Sequence, residues 1–237
     1  MRGPRRRPGA ELTIPAGGDP LRGDGPLLLL GGTFDPIHFG HLRPAEEVRV
    51  ALGTEHVVLV PCGDPPHREA PATPAEHRLA MARAAAEGRP TVEVLDWEVR
   101  SEGPSYTVRT LEWLRERLGW RSIVTIIGSD AFTQLHHWHQ WERLIELTHV
   151  AAVRRPGTAL TELESPLAEA LAGRWSDDPA ALRAEPGGRV MAFDATRLDI
   201  SATAIRELTA AGQSPRFLLP RTVEDYLTTH DLYRDQP

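Results

Sequence analysis

From Leu27 onward the chain alternates short, wholly apolar runs with segments of helical spacing, and this restricts the fold more than any other feature. The runs are LLLL (27–30), HVVLV (56–60), TVEVL (91–95), SIVTIIG (122–128), HVAAV (149–153) and RVMAF (189–193). A strand covered on one face alternates apolar and polar residues. Several of these do not, and their valine and isoleucine suit parallel strands covered on both faces. Residues 40–52, 74–88, 106–118, 139–147 and 160–173 read as the intervening helices, with 202–211 and 221–229 after the last strand. Such β-α repetition predicts an α/β fold, a doubly wound parallel sheet with a short helical C-terminus.

Composition narrows the function classes. A hydrophobic fraction of 41% over 237 residues fills a sizeable core. No segment reaches the roughly 18 to 20 consecutive apolar residues of a membrane helix, and no secretory signal opens the chain, so the expected location is cytoplasmic. A single cysteine, Cys62, excludes an intrachain disulfide and a cysteine metal cluster. The net charge of −6 argues against indiscriminate nucleic-acid binding. Residues 1–25, rich in proline, glycine and arginine, read as a disordered arm, and 26–237 as one domain. Arg5, Arg6 and Arg7 fit a solvated tail better than a contact with an acidic partner.

In a doubly wound sheet ligands bind beyond the carboxyl ends of the strands. The first such end carries GGTFDPIHFGH, residues 31–41. Gly31 and Gly32 let backbone approach a ligand, and turn N–H groups can face a phosphate. His38 and His41, three apart at a helix start, share a face, and imidazoles can donate to a phosphoryl oxygen as charge develops there. Capping, packing, or zinc with further ligands fits the same spacing, but the glycines and the strand-end position favour phosphate. Far along the chain, LDISATAIRE (198–207) places Ser201 and Thr203 before a helix and Arg206 in its first turns. The hydroxyls can cap the helix, while the guanidinium can meet an anion there.

The two stretches resemble, respectively, the signature of the HxGH nucleotidyltransferase superfamily and the ISxTxIR motif of the same enzymes. PPHR (65–68), SYT (105–107), GSD (128–130), Trp138, VRRPG (153–157) and LLPRTVEDYLTTHDLY (218–233) narrow the resemblance to bacterial nicotinate-nucleotide adenylyltransferases, over roughly residues 27–234. It implies a Rossmann-like nucleotidyltransferase fold and adenylyl transfer from ATP to nicotinate mononucleotide, with release of pyrophosphate. Carried over by motif, Gly31, Gly32, Thr33 and Phe34 meet phosphate and ribose, His38 and His41 hold the α-phosphate region, and Ser201, Thr203 and Arg206 face the triphosphate. Arg68 is a further cationic contact. Tyr106, Thr107, Trp138 and His139 surround the pyridine ring, with Gly128 and Asp130 towards a ribose.

Magnesium is expected on the ATP phosphates, with no protein metal ligand. The HHxH run of His136, His137 and His139 has no metal role in that family. Partners are then ATP and nicotinate mononucleotide, without nucleic acid or membrane, and a homo-oligomer is compatible with the sequence. Two departures stand out: Ala202 replaces a common second serine, and PPHR replaces the commoner PPHK, changing the geometry of a phosphate contact. Residues 158–188 are the least recognisable, read as a helix and a variable loop. Other nucleotidyltransferases of the superfamily, and a non-catalytic nucleotide-binding regulator, are the competing readings.

Overall fold

A computed structural model describes residues 19–65, 71–154, 160, 163–196 and 198–234. In chain order the elements are β1 (Leu27–Gly32), α1 (Phe39–Leu52), β2 (Val57–Pro61), α2 (Ala75–Ala86), β3 (Val92–Val94), α3 (Trp97–Arg100), α4 (Thr107–Leu118), β4 (Ile123–Gly128) and α5 (Ser129–Phe132). A 3-10 turn (Leu135–His137) leads to α6 (Trp141–Leu147) and β5 (His149–Arg154). Then come α7 (Ser165–Ala170), α8 (Ala181–Ala184), β6 (Val190–Asp194), α9 (Ala202–Ala210) and α10 (Arg221–Thr229).

The six strands form one parallel sheet in the order β3-β2-β1-β4-β5-β6. This doubly wound arrangement reverses direction between β1 and β4, which leaves a crevice beyond their carboxyl ends. The leucine run is explained by period-two geometry: Leu28 joins a core with Val57, Leu59, Val124 and helices α1, α2, α9 and α10, while Leu27 and Leu29 join a second core with Val58, Val60, Ile123 and helices α4 and α6. Both faces are buried, and each fully buried leucine contributes about 1.5 to 3 kcal/mol.

The folded part begins earlier than residue 26. Arg121 donates to the carbonyls of Leu21, Arg22 and Gly25, His56 Nε2 lies 3.0 Å from the Pro20 carbonyl, and Arg22 pairs with Glu93. Residues 19–25 thus lie on the domain, while 1–18, with the three arginines, are outside the described residues. The helix expected over 160–173 is shorter, α7 spanning Ser165–Ala170, where Pro166 sits in the first turn and the positive φ of Gly173 (72°) follows. Among the described residues no helix is long and apolar enough to cross a membrane.

Candidate active site

The β1–α1 loop carries conformations that few side chains tolerate. Gly31 has open space where a Cβ would project, whereas a Cβ on Gly32 would stand 2.7 Å from the Phe34 ring. Phe34 has φ 52° and is 2% exposed, a strained backbone held by packing, and a cis peptide joins Asp35 to Pro36. His38, extended and buried, is the N-cap of α1, and its ring stacks on that of His41 with centroids 3.8 Å apart. His41 Nδ1 accepts from the His38 backbone N–H at 3.3 Å, which leaves Nε2 to carry the proton of the neutral ring. A Cβ at Gly40 would fall 2.9 Å from both the His38 ring and the Ile200 carbonyl, so glycine is required there.

That last contact joins the two distant motifs. Arg206 Nη1 donates to the Asp35 carbonyl at 2.8 Å and Nη2 to Thr203 Oγ1 at 3.3 Å. Ser201 caps α9, its Oγ accepting from the Ala204 N–H at 3.1 Å. The N-termini of α1 and α9 therefore converge, and both bring partly free N–H groups and positive potential to one spot.

On the other side of the crevice Tyr106, the N-cap of α4, lies against His139 with ring centroids 4.3 Å apart. Thr107 opens α4, and Trp138, half-buried, closes the 3-10 turn and packs on the second core. Gly128 ends β4 with open space where a Cβ would be, and Asp130 follows as an exposed side chain in α5, between the buried Ser129 and Phe132. Ser105 Oγ accepts from the Gly63 N–H at 2.8 Å, tying this half to the end of β2. Glu98 is buried beside it and accepts from Thr110 Oγ1 at 2.5 Å. Burial pushes its carboxyl above the ordinary value, against the opposing pull of Thr110 and Ser105. Arg68 lies outside the described residues.

Two supporting residues escape a motif reading. Arg78 of α2, 1% exposed, donates to the carbonyls of Thr33 (2.9 Å), Cys62 (2.6 Å), Gly63 (2.6 Å) and Thr73 (3.3 Å). One guanidinium fork thus fixes the loops after β1 and β2. Asp35, 5% exposed, accepts from Thr73 Oγ1 and Tyr233 Oη, both at 2.6 Å, and from the Ala72 N–H at 2.7 Å. Burial and the Asp35 carboxylate push the Tyr233 hydroxyl strongly up, so it stays a donor. Asp35 stood inside the quoted motif. Arg78 had no sequence signal beyond a cation on a helix.

The cytidylyltransferase-like family matches residues 29–208. A protein of Acidithiobacillus ferrooxidans named "Probable nicotinate-nucleotide adenylyltransferase" is 48% identical over 88% of this chain and 95% of its own length. A Dechloromonas aromatica protein of the same name is 46% identical over 89% and 98%. In fold, the chain is similar to the Plasmodium falciparum nicotinic acid mononucleotide adenylyltransferase solved with NaAD, with TM-score 0.66, 14% identity and coverage of 88% and 97%. By these relatives, 48% and 46% identical over nearly their full length, the chain belongs to the nicotinate-nucleotide adenylyltransferase family.

Proposed function

We propose that the protein transfers the adenylyl group of ATP to nicotinate mononucleotide, forming nicotinate adenine dinucleotide and pyrophosphate in NAD biosynthesis. The observation that carries this reading is the meeting of the His38–His41 loop with the Ser201–Arg206 helix start, through Arg206 and the Asp35 carbonyl at 2.8 Å. A phosphate oxygen of the mononucleotide attacks the α-phosphorus in line. The bond from that phosphorus to the bridging oxygen breaks, and pyrophosphate carries the electron pair away.

His38 and His41 donate to the α-phosphoryl oxygens as charge shifts, and Ser201, Thr203 and Arg206 hold the β- and γ-phosphates. The backbone of Gly31, Gly32, Thr33 and Phe34 approaches phosphate and ribose. Gly128 and Asp130 receive a ribose, and Arg68 supplies a further cation. Catalysis here is positioning and charge neutralisation, without a covalent intermediate. Magnesium, which prefers phosphate oxygens and water, would be held by the ATP phosphates and would supply charge screening there, while the helix N-termini and Arg206 suit the phosphates themselves. The reading takes the cytoplasm as location, consistent with a lone cysteine, and leaves no role for nucleic acid.

The acceptor is the acid because its ring meets donors. Trp138 and the Tyr106–His139 pair flank the pyridine, while the Thr107 hydroxyl and the His139 backbone N–H face its carboxylate. A carboxamide turns its own NH₂ against one of them. Pyrophosphate release with ATP and either mononucleotide tests this, and we expect kcat/KM for the acid to be higher by about 10²-fold, the loss of one or two charged hydrogen bonds. Comparable values make the enzyme dual-specific. No release with either acceptor, but release with another phosphorylated alcohol, selects a different nucleotidyltransferase.

A further inference from the structure

Just before Trp138, the 3-10 turn sets two consecutive imidazoles beside the start of α7. The rings of His136 and His137 have centroids 3.9 Å apart, and His136 Nε2 lies 3.1 Å from Glu164 Oε2. One ligand atom from each of the three residues lies within 4.8 Å of the others. The His136 side chain is only 7% exposed, yet neither Nδ1 nor Nε2 has a hydrogen bond of acceptable geometry. Two unsatisfied nitrogens on one buried ring are uncommon, and an ion is one of the few things that satisfies such a group. The 3.1 Å approach without hydrogen-bond geometry suits two donors on one ion, because tetrahedral ligands at about 2.0 to 2.1 Å stand roughly 3.3 to 3.4 Å apart. Glu164 is well placed to close the set: as N-cap of α7 its backbone is fixed, its carbonyl accepting from the Leu167 and Ala168 N–H groups at 3.0 Å, and its carboxylate makes no cap hydrogen bond.

We propose that His136, His137 and Glu164 form a binding site for a divalent transition ion of the zinc class, separate from the magnesium that accompanies ATP. Two imidazoles and one carboxylate suit zinc, cobalt or nickel and not magnesium, which takes oxygen ligands. This goes beyond the expectation of no protein metal ligand, and the cluster differs from the HHxH run, because His139 turns to Tyr106 and Glu164 takes its place. Three protein ligands leave a coordination position for water. No described group accepts from the second nitrogen of His136, and such missing support weakens a metal site about 10- to 100-fold, so the ion is exchangeable. Bound there, it ties the turn that precedes Trp138 and His139 to α7.

Cobalt titration of the chelator-treated full-length protein reads the site directly, whatever the enzyme's substrate proves to be. We expect one saturable equivalent with visible d–d absorption, displaced by zinc and unaffected by excess magnesium. His137→Ala and Glu164→Ala, both at exposed positions, should each weaken it at least about 10-fold. His41→Ala should leave it intact. Absence of saturable binding, or binding undiminished in both variants or lost in His41→Ala, overturns the assignment.

Discussion

His41 accepts the His38 N–H at Nδ1, and in the proposed reaction its ring donates to a phosphoryl oxygen. Removing the ring removes one preorganised donor, and His41→Ala should lower kcat by about 10² to 10³ while the melting temperature changes little. Unchanged turnover in steady-state kinetics reduces the stacked pair to a helix cap. Glu98 ties folding stability to pH. Because burial raises its carboxyl above the ordinary 4.5, the folded state holds the proton more tightly than the unfolded one. Its contribution to stability is therefore fully present below 4.5 and lost as pH rises through the raised value. Glu98→Gln removes that loss, so the melting temperature of the variant relative to the parent should climb between pH 4 and pH 7. A difference independent of pH means the carboxyl titrates alike in both states. Residue identity in the motifs exposed His41 and Arg206 to sequence reading. It could not expose Glu98 or Arg78, nor the part played by Asp35 within its motif, because their partners are brought in only by folding.

Secondary structure was legible where periodicity is long and the faces are consistent. All six strands and the helices α1, α2, α4, α6, α9 and α10 lie within a few residues of their sequence-based spans. The short elements α3, α5 and α8 and the 3-10 turn were not, because three or four residues carry too little period to separate from a loop. The strand order was not read from the sequence, since connection rules allow more than one doubly wound order, and the convergence of α1 and α9 is likewise tertiary: a Cβ on Gly40 would meet the Ile200 carbonyl, and Phe39 N–H donates to the Leu218 carbonyl at 3.0 Å. Arg206 is the side chain that crosses between them. Lysine cannot serve Asp35 and Thr203 as a fork and still face an anion, so Arg206→Lys should weaken ATP use by about 10-fold or more and leave pyridine-nucleotide affinity nearly unchanged. Separate titrations of the two substrates measure this, and equal losses make the residue a structural tie between helices.

At the scale of the molecule, a two-faced parallel sheet explains why the first strand can begin with four leucines and still end at the crevice beyond the strand ends. The same architecture gathers the site from nearly the full length of the chain. Asp35 sits early in it, and its carboxylate is fastened by Tyr233, 198 residues later. Translation runs at about 5 to 20 residues per second, so roughly 10 to 40 seconds separate the emergence of these two partners from the ribosome. Through that interval the β1–α1 loop exists without the hydrogen bond that Tyr233 gives its aspartate. Emergence of Tyr233, and not of the motif itself, gives the Asp35 carboxylate the last of its three hydrogen-bond partners.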